Sequence, residues 1–369
     1  MKQLLAALCY RSGLLGLWWS RRRRPLIVMY HRVLDPAQGN DVSQAGIVVS
    51  TPTFERQLLF LARHFDMLPL VEVLPGAGSE GSAPAPPGQR TGTRGRPPCA
   101  VTFDDGWADT LEQALPVLRR HAVPATIFIA TGYIGTRELF WPERLIHALR
   151  GAGRTRVRPE RLDGVSQESV VAVMQAVAAT DDDLDAALDR LIEHLKTTGE
   201  DEREALIEAV ATVTGRPASG LEPRMLDWRG VETLRAAGIE IGSHGVSHTI
   251  LTRVDHGRAV QEIEASRRQL AGPAGELPGS FAYPNGDWNP ALADAVRQAG
   301  YARAVAAEPP RDGTWPGLAG TVTQTSQFAA IRKNLSEGSS RGVRGFSTSV
   351  LACEVMGFFD ALRRRGGRR

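Results

Sequence analysis

Three short runs contain residue types capable of acid–base or metal chemistry: "TFDDG" with Asp104 and Asp105, "SHGVSH" with His244 and His248, and "VMYHRV" with His31. Adjacent carboxylates repel each other and Asp is depleted in strands, so a pair of them closing the apolar run "CAVTF" needs a reason. One reason is a plain turn, since Asp-Gly is a common hairpin dipeptide. The other is a metal site. Consecutive side chains leave an extended backbone in different directions, so one aspartate can ligate a cation while the other accepts a proton from a water that the cation activates. The cation would also relieve the repulsion. Imidazoles four residues apart face the same side of a helix or tight loop. Two His and one carboxylate, with a position left for water, form a common catalytic zinc arrangement. In a chain with eight histidines an HxxxH spacing is weak by itself. Its place directly after "IEIG" adds weight, as does the aspartate pair at an equivalent strand end. There is no HExxH, so the carboxylate comes from elsewhere, from Asp104 or Asp105.

The elements that must position these residues can be read from hydrophobic periodicity. "PLIVMYHRV", "CAVTF", "PATIFIATG", "IEIGS", "GSFAYP" and "YARAVAAE" read as strands. Helical spacing is seen over 54–64, 108–121 and 230–238, in "DHGRAVQEIEASRRQL" and in "PALADAVRQAG". Residues 137 to about 214 read as several helices, with "FWPERLIHALR" and "DDDLD" as a solvated face and not a metal site. The stretch 75–98 has almost nothing to bury and reads as a disordered loop. Strand alternating with helix implies a parallel sheet, open or closed into a barrel. Tyr30-His31, Asp104-Asp105, Ser243-His244 and Tyr283-Pro284 all follow the apolar part of their strands, the end that carries active sites in α/β barrels.

Bulk properties narrow the function classes. The chain has 369 residues, 42% hydrophobic and 23% charged, with a net charge of +3 that gives no case for nucleic acid. Much of the basic excess sits in Arg21 to Arg24 and in "RRRGGRR" near residue 369. Cys9, Cys99 and Cys353 form neither a disulfide framework nor a CxxC pattern. "LLAALCYRSGLLGLWW" is interrupted by Arg11, short for a transmembrane helix and poor as a signal peptide. An amphipathic segment lying on a membrane surface fits it better, which gives an expectation of peripheral membrane contact and a cell-envelope or membrane-associated location, with the cytoplasm as the alternative.

"TFDDG", "HGVSH" and "FAYPNG" resemble, in order and context, the first three motifs of the polysaccharide deacetylases, the NodB-homology fold of carbohydrate esterase family four. The resemblance covers roughly 26–308 and includes "PATIFIATGYIG" and "AGIEIGSHGVSHTIL". It implies a distorted (β/α) barrel of about seven strands over 25–335, with a helical insertion over 137–220. A basic and apolar segment (1–24) would precede the barrel and a C-terminal tail (336–369) would follow it. It further implies Asp104 as general base, with Asp105, His244 and His248 as ligands of one divalent metal. The ligand set favours zinc, with cobalt, nickel or iron as alternatives. The reaction implied is removal of an N-acetyl group from an amino-sugar polysaccharide or glycoconjugate. Hydrolysis of a non-sugar amide and a catalytically inactive carbohydrate-binding homologue are the alternatives.

Two departures from the family pattern stand out. The arginine usually found two residues before the proline of the third motif is Ala282 here, and no histidine follows His256 to act as general acid. A circularly permuted branch of the family, similar to the poly-N-acetylglucosamine deacetylases, carries its acid within a "YH" strand end near the N-terminus. His31 in "VMYHRV" matches it. By the same resemblance Tyr283, Pro284 and Asn285 line the site, with a backbone N–H near Asn285 available to an oxyanion. Trp288 is placed to stack on a sugar ring. Without the resemblance these four residues read as a turn and a packing tryptophan.

Overall fold

The protein is described by a computed structural model over residues 2–15, 25–35, 42–75, 96–150, 152–162, 164–216, 224–271, 276–307, 327–343 and 345–359. Of the loop expected over 75–98, residues 76–95 lie outside this description.

Short runs of β-branched and other apolar residues form the strands, and several are buried along their whole length, as expected when both faces of a parallel sheet are covered. Seven of them close a barrel: β1 (Leu26–Tyr30), β2 (Pro98–Phe103), β3 (Ala125–Ile129), β4 (Glu240–Ser243), β5 (Ser280–Ala282), β6 (Arg303–Ala307) and β7 (Ala330–Asn334). All neighbouring pairs are parallel, and the strands follow one another around the barrel in chain order. β1 closes it. Its residues Leu26 to Tyr30 run in register with Cys99 to Phe103 of β2, and Val28 and Met29 pair with Lys333 and Asn334 of β7.

Ile27, Ala100, Phe128, Ala282, Val305 and Ala330 from six of the strands form one apolar cluster, joined by Leu70 and Val73. Phe128 leaves no space across from it. A Cβ on Gly242 would sit 2.5 Å from the Phe128 ring, so β4 needs a glycine at that point.

Outside the barrel lie α1 (Lys2–Arg11), α2 (Thr51–His64), α3 (Trp141–Leu149), α4 (Gln167–Ala178), α5 (Leu184–Leu195), α6 (Glu200–Thr214), α7 (His256–Gln269) and α8 (Thr348–Val355). Helices α3 to α6 bury leucine, isoleucine and valine against one another in a core of their own, beside the C-terminal rim of β3. The expected solvated face of "FWPERLIHALR" is corrected here: Glu143 and His147 are 3% and 8% exposed. Leu145, Ile146, Ala148 and Leu149 enter the helical core, and Phe140 just before α3 lies against Trp107 and His248.

The C-terminal stretch also differs from expectation. β7 and α8 were not anticipated, and where a tail was expected from 336 the chain forms the hairpin strands Arg341–Gly342 and Gly345–Phe346 followed by α8. Ser347 caps α8 by accepting from Val350 N–H, and Val350, Leu351, Ala352 and Cys353 enter the main core. No helix among the described residues is long and apolar enough to cross a membrane.

Candidate active site

The C-terminal ends of β2 and β4 bring Asp105, His244 and His248 together. One potential ligand atom from each lies within 4.8 Å of the others. Asp105 Oδ1 is 3.2 Å from His248 Nε2 and 3.6 Å from His244 Nε2. A tetrahedral ion about 2.1 Å from each ligand would hold ligand atoms about 3.4 Å apart, so the spacing fits. The hydrogen bonding fits as well. Asp105 Oδ2 accepts from Trp107 Nε1 at 2.9 Å, while Oδ1 is buried with no hydrogen bond. His244 Nδ1 is 2.8 Å from the Ala282 carbonyl, which turns Nε2 toward Asp105. Burial, partly offset by Asp104 and Asp105, pushes His244 down to about 4 and leaves a neutral imidazole with a free lone pair at neutral pH.

The backbone here is unusual. Asp105, His248 and Asn285 have φ of 78°, 56° and 59°, a region that costs non-glycine residues energy unless their surroundings hold them there. For His248 the holding group is Glu262 of α7, whose carboxylate accepts from Val246 N–H, Ser247 N–H and Ser247 Oγ at 2.7–2.9 Å. Asp105 is followed by Gly106 (φ 91°), where a Cβ would come 2.8 Å from Ile129.

Asp104 has a different main partner, although its Oδ2 lies 3.8 Å from His244 Nε2. Arg332 of β7 clasps it through two hydrogen bonds, Nη1 to Oδ1 at 2.6 Å and Nη2 to Oδ2 at 2.7 Å, and both side chains are under 4% exposed. Burial alone would raise the Asp104 carboxyl, but Arg332, His244 and His31 outweigh it and hold it below its ordinary value. Asp105 lies well below its ordinary value too, because His248, His31 and His244 overcome its burial. Arg332 comes from β7, two strands away from Ala282 of β5. Ala282 and Ala330 both pair with Val305 of β6, and Arg332 stands two residues nearer the rim.

His31 follows β1 directly. It lies close enough to both aspartates to favour their ionised forms, and its Nδ1 is buried without a hydrogen-bond partner. The segment from Tyr283 to Trp288 sits at the end of β5. Tyr283 is fully buried and donates its hydroxyl to the Phe328 carbonyl at 2.8 Å, so its side chain is committed to the core. Pro284 is buried, Asn285 Nδ2 donates to Asp287 at 3.1 Å, and Trp288 is half-buried against the β5–β6 core.

Sequence reasoning missed several residues of this site. Arg332 and Glu262 are two of them. Trp107 is a third, anchored from behind by Arg32, which stacks on its ring at 4.2 Å and bonds Asp109 at 2.9 Å. Phe140, at the start of α3, lies against His248 and Trp107 with ring centroids 4.5 and 5.6 Å away. Glu143 is a carboxyl that burial, reinforced by Asp105, pushes up to about 8. The "DDGW" spelling was the only signal for Trp107. The others are visible only once the chain is folded.

A sequence model of the polysaccharide deacetylase family matches residues 91–169 and 175–304, more than half of the chain. No curated protein sequence matches. Solved structures with similar folds include the Streptococcus pyogenes deacetylase PplD in complex with acetate, at 15% identity over 86% of this chain and 94% of that one, with a TM-score of 0.46. IcaB from Ammonifex degensii is 16% identical over 77% and 84% with a TM-score of 0.44. The de-N-acetylase from Aggregatibacter actinomycetemcomitans is 12% identical over 84% and 94% with a TM-score of 0.47. These likenesses are distant, and family membership rests on the sequence match: the chain belongs to the polysaccharide deacetylase family of hydrolases.

Proposed function

We propose that the protein is a metal-dependent deacetylase that hydrolyses the N-acetyl group of an amino sugar within a polysaccharide or glycoconjugate. The observation that carries this reading is the division of labour within the aspartate pair. Asp105 turns an oxygen free of hydrogen bonds toward two imidazole nitrogens, while Asp104, 3.8 Å from His244 Nε2, is clasped by Arg332. Asp105, His244 and His248 would hold a divalent ion, zinc by its ligand preferences. Such an ion supplies Lewis-acid polarisation of the acetamide carbonyl and a lowered pKa for the attacking water.

The chain's own residues do the rest. Asp104, ionised and fixed in orientation by Arg332, takes the proton of the attacking water. Arg332 keeps that carboxylate charged and aligned without touching the substrate. His31 donates a proton to the nitrogen as the amine leaves. Trp107 and Phe140 wall the ligand cluster with aromatic surface and keep bulk water from its back. The half-buried Trp288 supplies a rim on which a sugar ring can stack.

Acetate release from N-acetylglucosamine oligomers by zinc-loaded protein tests the proposal. Release that stops on chelation and returns with added metal is the expected result. Release from simple amides but not from sugar oligomers would move the substrate class.

A further inference from the structure

Helix α1 packs along α8 and buries Ala6 and Cys9, at 0% and 7% exposure. Leu4 and Leu8, one turn apart on the opposite side, are 78% and 65% exposed, and Leu14 beyond the helix is 58% exposed. The adjoining hairpin extends this surface: Val343, 89% exposed, donates its N–H to Gln3 Oε1 at 2.7 Å. Large apolar side chains gathered on one face and turned to water mark an interaction surface.

The charges next to it in sequence indicate what covers it. Lys2 and Arg11 lie on α1 itself. Between Leu15 and Pro25 the sequence carries Arg21 to Arg24, and beyond Phe359 it carries Arg363, Arg364, Arg365, Arg368 and Arg369. These nine arginines exceed the +3 of the whole chain, so the remainder of the protein is net acidic. Positive charge is therefore concentrated in the two segments that adjoin the α1–α8 pair. A second copy of this chain, or an apolar protein groove, would not require that concentration. An anionic lipid surface does, because leucines enter the boundary between headgroups and acyl chains while arginines meet the phosphates.

We infer that the face made by Leu4 and Leu8 of α1 with Leu14, in a chain whose arginine runs follow α1 and α8 in sequence, docks the enzyme on an anionic bilayer without spanning it. The test is flotation of the full-length protein with vesicles of phosphatidylcholine, with and without phosphatidylglycerol. The native protein should float with the anionic vesicles about tenfold more than with the neutral ones, and less as salt is raised. The Leu4→Glu/Leu8→Glu variant should lose at least about tenfold in binding at an unchanged melting temperature. If that variant melts early, Val343→Glu, at a site away from any packing, provides the same comparison. Native protein that ignores anionic vesicles overturns the inference, as do variants that float as well as native. So does a native dimer that Leu8→Glu dissociates while vesicle binding is absent, because the face would then be a contact between copies.

Discussion

The active site has two halves that differ in how the chain builds them. One half lies on β2 and β4, where Asp104, Asp105, His244 and His248 sit within two short motifs and the family match covers every residue. The other half lies at the seam where β7 meets β1, and its residues Arg332 and His31 fall outside that match. The first half has what is needed to hold an ion. In the proposed reading the first half also carries the base, Asp104, and the second serves it: Arg332 clasps that base and His31 would be the acid. The contrast teaches that holding an ion depends on local spacing, whereas a proton relay can be assembled from whichever strand reaches the lumen.

Ways to break this comparison start with the ion. Chelation followed by dialysis should abolish acetate release, and added zinc should restore it; release that persists in metal-free protein removes the metal from the mechanism. Next in size is the aspartate pair. Asp104→Asn should lower kcat by roughly 10²–10⁴-fold with metal retained, whereas Asp105→Asn should lose metal first. Identical behaviour of the two variants, followed by metal analysis alongside turnover, would erase the proposed division.

Arg332 gives the sharpest probe of the seam. Arg332→Lys keeps the charge but loses the two-pronged grip, so kcat should fall by about 10–100-fold with KM and metal content little changed. Arg332→Ala leaves Asp104 buried without its partner and should cost about 3–5 kcal/mol of stability in denaturant melts. A native-like Arg332→Lys enzyme would reduce the clasp to a structural ion pair.

The smallest expected effect on turnover is at Glu143, where the readout is stability against pH. Its folded carboxyl is raised to about 8 by burial and then by Asp105, against the pull of Arg32 and Lys196. The folded state therefore binds a proton that the unfolded state has released, and stability falls as pH rises from about 4.5 to about 8. In metal-free protein Glu143→Gln should melt with the native chain near pH 4 and above it near pH 8.5. Parallel melting curves across that range would show that the carboxyl is not held in its neutral form.

The seam also marks the limit of what the sequence discloses. The strands that hold the motifs are apolar runs ending in polar tips, and each was legible, as was the "VMYHRV" strand end. β7 spells "AIRKN", two apolar residues among polar ones, because its arginine faces inward to meet a buried carboxylate. Nothing local distinguishes that arginine from one facing solvent. Glu143 is similar: in "FWPERLIHALR" it reads as the wet side of a helix, and only the tertiary packing around α3 buries it. The helix α8 was hidden for a different reason, since "STSVLACEV" is too short for periodicity to stand out although its serine cap is a usable signal.

The central claim is that the seam supplies the proposed acid, His31, and steadies the base for an ion-holding cluster built elsewhere. The most direct measurement is metal content and acetate release on the same preparation of His31→Ala. Full metal occupancy with turnover slowed by about 10²–10⁴-fold, least for nitro-substituted acetanilides whose nitrogen needs less help from a proton to leave, is the predicted result. Unchanged turnover, or loss of the metal together with activity, would contradict it.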